Sequence, residues 1–181
     1  MNEGKSPTEH KVKLLARRSE LAKERLAPEK RATYGPSIVS QFFHATGYNV
    51  GLDDFDTSLT APVIFTGATL ELASDWTLLH VGEVEAMEAL VSLNHCIPTH
   101  EGLVGVEGNT YLGLHRSVSI SLIGLLKVAS ILEDSVIFFP SDSDTALVMD
   151  CYHGPGGRSF YSFYVKGAAL ASCLKGRRET S

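Results

Sequence analysis

The densest gathering of chemistry-bearing side chains is His95, Cys96, His100 and Glu101. Imidazole nitrogen and thiolate sulfur are the donors that zinc selects, and a site here would complete its shell with His115 or Cys151 from elsewhere in the chain. The same residues could run thiol chemistry, because a thiolate stabilised by a neighbouring histidine cation is a nucleophile. Their spacing matches no established metal signature. A polar helix end with one buried thiol, its histidine favoured by the C-terminal dipole, explains them as well.

The remaining candidates read the same way. Cys151 shares a strand face with Leu147 and Met149, which is a packing position. Cys96, Cys151 and Cys173 are odd in number and widely spaced, so the expectation is free buried thiols and no disulfide framework. Gly154, Pro155, Gly156, Gly157 and Arg158 follow His153 and could cradle an anion on their amides. They lack the phosphate-loop pattern and lead into a strand, so a hairpin connector is expected. Ser141, Asp142, Ser143 and Asp144 after Pro140 form a turn signal, and Glu71, Asp75 and Glu107 have no spacing that identifies an acid and base pair. No catalytic set and no cofactor is expected.

The elements that must position these residues follow from periodicity. A helix over 8–27 carries Val12, Leu15, Ser19, Ala22 and Leu26 at helical spacing and should end at Pro28. A second helix is expected over 37–46, framed by Pro36 and Gly47. Strands are expected over 62–65 and 69–72, as a hairpin about Gly67 and Ala68, and again over 76–81. Residues 83–94 form the clearest amphipathic helix, with Val84, Met87, Leu90 and Val91 facing one way and Glu83, Glu85 and Glu88 in its first turns. Strands over 103–106 and 110–115, a buried helix capped by Ser117 and running to Glu133, strands over 136–139, 146–152 and 159–165, and a helix over 168–175 complete the chain.

Hairpins outnumber strand-helix alternations. The fold class is therefore α+β, a mostly antiparallel sheet of about five to seven strands with helices packed on one face, plus an N-terminal helical extension. The organisation expected is a basic helical extension over 1–31, a globular domain over 32–176 and a short polar tail over 177–181.

Charge divides along these lines. The net charge of −5 conceals nine Lys or Arg against five Glu in residues 1–31, and four against fifteen acids in residues 32–174. The acidic body favours a basic partner and argues against nucleic acid there, since phosphate contacts need Lys and Arg. In the front segment, interleaved Glu20, Glu24 and Glu29 weaken the basic field. The longest apolar run, residues 118–132, is broken by Ser119, Ser121, Lys127 and Ser130, so no membrane span is expected. The first residues have no apolar signal core, which places the chain in the cytoplasm.

These observations support a non-catalytic protein-binding module, of the intracellular inhibitor or immunity type, that covers a basic protein. Asp53, Asp54, Asp56, Asp142 and Asp144 would supply the acidic surface. Tyr161 and Tyr164 lie on a strand with aromatic rings on both faces, from Phe160 to Tyr164. That strand is either buried on both sides or a contact surface, to which tyrosine is suited. Two other classes compete: a small metal-dependent or thiol hydrolase built on His95, Cys96 and His100, and a structural subunit forming homo-oligomers through its front helix.

Overall fold

A 40-residue helix, α1 (Pro7–Thr46), opens the chain. The computed structural model describes the backbone over residues 7–59, 76–97, 99–106, 111–117, 119–141 and 144–175, with side chains from Arg25 to Leu174 within those ranges. The hairpin expected over 62–65 and 69–72 lies outside the described residues. Pro28 does not end α1, nor does Pro36 begin a second helix; both lie inside it. Each proline removes one ladder hydrogen bond, but both are exposed, so water can take the carbonyl left over. The helix stops at Thr46, where Gly47 adopts φ 73° and its amide donates to the Phe43 carbonyl.

Downstream of Pro28 two features fix α1 to the body. Ile38, Val39 and Phe42 are buried in the main core. The Arg31 guanidinium donates to the main-chain carbonyls of Leu52 (2.7 Å), Phe55 (2.6 Å) and Leu112. A fork of planar donors suits this task as no ammonium could.

The remaining elements are β1 (Phe55–Asp56), β2 (Trp76–Gly82), α2 (Glu83–Cys96), β3 (Gly102–Val106), β4 (Leu114–Ser117), α3 (Leu122–Leu132), β5 (Val136–Pro140), β6 (Ala146–His153), β7 (Ser159–Lys166) and α4 (Ala168–Lys175). Seven strands among the described residues form one sheet in the order β1-β4-β3-β5-β6-β7-β2, every pair antiparallel. This is the α+β fold that the strand and helix periodicities imply. No described helix is long and apolar enough to cross a membrane.

All four helices pack on one face. The main core gathers Phe42 from α1, Leu90 and Leu93 from α2, Leu125 from α3 and Leu170 from α4 over Val104, Phe138, Leu147, Met149 and Phe163 of the sheet. A smaller cluster on the opposite face holds Ile137, Phe139, Ala146, Val148 and Tyr164. Close approach is built into two glycines: a Cβ on Gly102 would strike the Phe139 carbonyl across the β3–β5 pair, and one on Gly124 would sit 3.2 Å from Thr46 Cα, where α1 crosses α3.

Two local expectations are corrected. Ser121, not Ser117, caps α3, its hydroxyl accepting from the Gly124 amide; Ser117 belongs to β4, paired with Gly102. The strand expected to begin at residue 110 begins at Leu114, after a single turn at Tyr111 and Leu112.

Candidate docking surface

The structure disperses the donors of the His95 to Glu101 segment. Cys96 is disulfide-bonded to Cys173, 77 residues away, which ties α2 to α4. The expectation of free thiols is thereby corrected for two of the three cysteines: facing helices bring sulfurs together that sequence separation leaves unrelated. Bonded, Cys96 offers neither a thiolate nucleophile nor a metal ligand. His95 is exposed, and its Nδ1 pairs with the Val91 carbonyl one turn back at 2.7 Å. His100 is half-buried, with its Nδ1 shielded and without a hydrogen-bond partner among the described residues. His115 packs between Phe42 and Phe55, its Nδ1 3.3 Å from the Asp54 carbonyl. No group of three His, Cys, Asp or Glu side chains among the described residues is placed to hold a metal.

Cys151 is a core residue on β6, as its alternation implies, and burial pushes its thiol above the usual cysteine range. A thiol so placed is inert. His153 lies at the end of β6, with its Nδ1 3.2 Å from the Ser159 hydroxyl and its Nε2 3.9 Å from Glu133.

One polar row was not foreseen. Register aligns His80 of β2, Ser162 of β7 and Asp150 of β6 on the face away from the helices. The Ser162 hydroxyl and His80 Nδ1 are 2.7 Å apart. The three residue types are those of a hydrolytic triad, but the order is wrong: the serine stands between the other two, whereas the carboxylate of a triad must orient the imidazole from behind. Ser162 is 2% exposed, so no substrate carbonyl could reach it. Burial raises the Asp150 carboxyl above the ordinary aspartate value of 3.8. This row is a cross-strand hydrogen-bonding feature of the sheet.

The expected acidic residues lie apart. Asp53, Asp54 and Asp56 are exposed beside β1. Two of them close turns: Asp54 Oδ2 accepts from the Gly51 amide and Asp56 Oδ1 from the Ser58 amide, each at 2.7 Å. Hydrogen bonds from Ser58 hold the Asp56 carboxyl below the usual range. Asp144 is exposed at the start of the loop into β6, and Asp142 lies outside the described residues. Tyr161 and Tyr164 are each 8% exposed, one in the main core and the other in the cluster on the far face. Both are packing residues of an interior strand, the first of the two alternatives that its aromatic alternation allows.

What the sequence misassigns is a face of α2. Ala86, Ala89, Leu90 and Leu93 are the residues it buries. Val84 (71% exposed), Met87 (41%) and Val91 (52%), expected to face inward with Leu90, form a second apolar stripe that looks outward. Their i, i+3, i+7 spacing puts them on one side of the helix. Glu83 and Glu88 flank the stripe and Glu85 lies farther round the helix, all three exposed, and α2 has no Lys or Arg. At its C-terminal end the stripe runs into a cleft of about 280 Å³ lined by Leu90, Val91, Asn94 and His95 of α2 and by Ser121, Leu122 and Ile123 at the start of α3. Ile123 is itself 40% exposed. The signal was present in the sequence: two apolar sets, not one, recur through α2 at helical spacing.

No protein family matches the chain. Nor is any curated protein or solved structure significantly similar to it. The surface chemistry of α2 and the cleft beside it is therefore what a functional reading rests on.

Proposed function

We propose that this chain is a non-catalytic protein-binding module that docks a basic, amphipathic partner on the outward face of α2. The observation that carries the reading is the exposed stripe of Val84, Met87 and Val91, flanked by Glu83 and Glu88 on a helix whose opposite stripe fills the core. Contiguous apolar side chains left in water at a cleft mark interaction surfaces, and the acids around them attract a basic partner over a longer range. An inhibitor or immunity-type protein that covers a basic target is the form this reading takes when the surplus of acids in residues 32–174 is added. The inward placing of Tyr161 and Tyr164 moves the proposed contact from β7 to α2. The Cys96–Cys173 bond supports an oxidising compartment in place of the cytoplasm that the front of the sequence suggests.

The test is a photo-crosslinking residue in place of Met87 in the full chain, exposed to native extract at low salt. A partner presenting a basic segment should be trapped, and the adduct should vanish at high salt and in a chain that also carries Val84→Asp. If no adduct forms at any salt concentration, the reading fails.

A further inference from the structure

The front half of α1 poses the complementary question. Within residues 7–31, eight Lys or Arg stand against four Glu, and Val12, Leu15, Ser19, Ala22 and Leu26 recur on one helical side. By the same spacing Lys11 and Arg18 flank that stripe on one side, Lys23 and Lys30 on the other. Leu26, the stripe position whose side chain is described, is 48% exposed. Residues 25–30 are exposed but for a half-buried Ala27, and the clasp on the body begins at Arg31. The helix as a whole spans ~60 Å at 1.5 Å per residue, longer than a domain of this size is wide. Because it is continuous to Thr46, where it crosses α3, its front half has no turn by which to reach α2 of the same chain.

We infer that the front half of α1 in one copy docks on the α2 stripe and cleft of a second copy, and reciprocally, so that the chain assembles as a two-fold dimer. This inference rests on the reading of the α2 face as a protein-docking surface and names its occupant. Each copy carries both halves of the contact: a basic helix with a narrow apolar stripe, and an acidic helix with an outward stripe of Val84, Met87 and Val91. Complementary surfaces on one chain close reciprocally in a two-fold pair, the arrangement most common among homo-oligomers. Two acidic α2 faces would repel one another, and so would two basic front helices. The charges select the heterotypic contact.

The test is sedimentation of the full chain beside three variants. Lys11→Glu/Arg18→Glu/Lys23→Glu reverses the flanks of the front helix, Glu83→Lys/Glu88→Lys reverses those of α2, and Val84→Asp/Val91→Asp breaks the stripe. The wild-type chain should sediment at twice the monomer mass and dissociate as salt rises, and each variant alone should be a monomer. An equimolar mixture of the two charge-reversed variants should recover the dimer, since each then offers the other two complementary contacts. That recovery also shows that both variants fold. A wild-type chain monomeric at low salt, a dimer that none of the variants disturbs, or a mixture that stays monomeric overturns the inference. A monomeric chain that still yields a crosslink at Met87 to a basic protein of another sequence overturns the dimer and leaves the docking reading standing; without that adduct both fall.

Discussion

Arg31 donates to the Phe55 carbonyl across 2.6 Å, and through that bond the long front helix is tied to the edge strand of the sheet. The same guanidinium reaches Leu52 and Leu112, so one side chain gathers three chain segments far apart in sequence. The segment from 52 to 56 is held besides by its pairing with β4 and by His115 against the Asp54 carbonyl. Its exposed acids close local turns, and Phe55 is the residue it buries.

Arg31→Ala should therefore destabilise the fold by about 2 to 3 kcal/mol, since hydrogen bonds from a charged donor contribute ~1.5–3 kcal/mol and three part-buried carbonyls would lose a partner. Arg31→Lys should recover little of it, because an ammonium cannot present the planar fork. A lower urea midpoint at unchanged slope is the expected reading. A midpoint unmoved by Arg31→Ala would show that the clasp is dispensable.

Reduction of Cys96–Cys173 should cost about 2–4 kcal/mol, the usual range for a bridge closing a long loop. In the unreduced chain, unfolding should release one reactive thiol, from Cys151, and reduction should release three. Native Cys151 should resist thiol reagents at neutral pH, because burial keeps it protonated and covered.

Asp150 sets a pH dependence. Its carboxyl is raised in the folded chain mainly by burial, partly offset by the Cys151 amide, with a further push from Asp134 and a small offset from His80. The folded state therefore holds that proton more tightly than the unfolded one, and stability falls as pH rises from the ordinary value of 3.8 through the raised one. Asp150→Asn should match the wild type below this window and melt at a higher temperature above it. Identical melting profiles would remove the argument.

Gly102→Ala should be among the most damaging small substitutions, costing about 3 kcal/mol, because the added methyl meets the Phe139 carbonyl and the fully buried Phe138 ring. Soluble yield and the urea midpoint should both fall.

Replacing Val84, Met87 and Val91 together with serine should leave folding stability within ~0.5 kcal/mol, as for other exposed substitutions. Loss of partner association, read by sedimentation or co-purification, at unchanged stability is the expected pair of results. A large drop in stability would mean that the stripe belongs to the core.

Much of this architecture is readable from residue order. Alternation over β6 and β7 placed Cys151 in the core and put rings on both sides of β7, and the helix over 168–175 has the limits its apolar residues imply. Other features depend on information that no local window contains. Pro28 and Pro36 stay inside α1 on its exposed side, which no local window reveals, and Ser117 loses the role of cap because β3 needs it as a strand partner. The two apolar sides of α2 look alike in sequence, and only the neighbouring helices decide which is covered. The same holds for Cys96 and Cys173, which meet because α2 and α4 do.

Strand order has a consequence for synthesis. Among the described residues β2 pairs with β7 alone, so Trp76–Gly82 must wait for Ser159–Lys166 to leave the ribosome before its hydrogen bonds can form. At ~5–20 residues/s that delay lasts several seconds or more, during which an apolar strand edge stands open to other nascent chains. The placing of an early strand against a late one thus leaves the β2 backbone without its ladder partner until β7 has emerged.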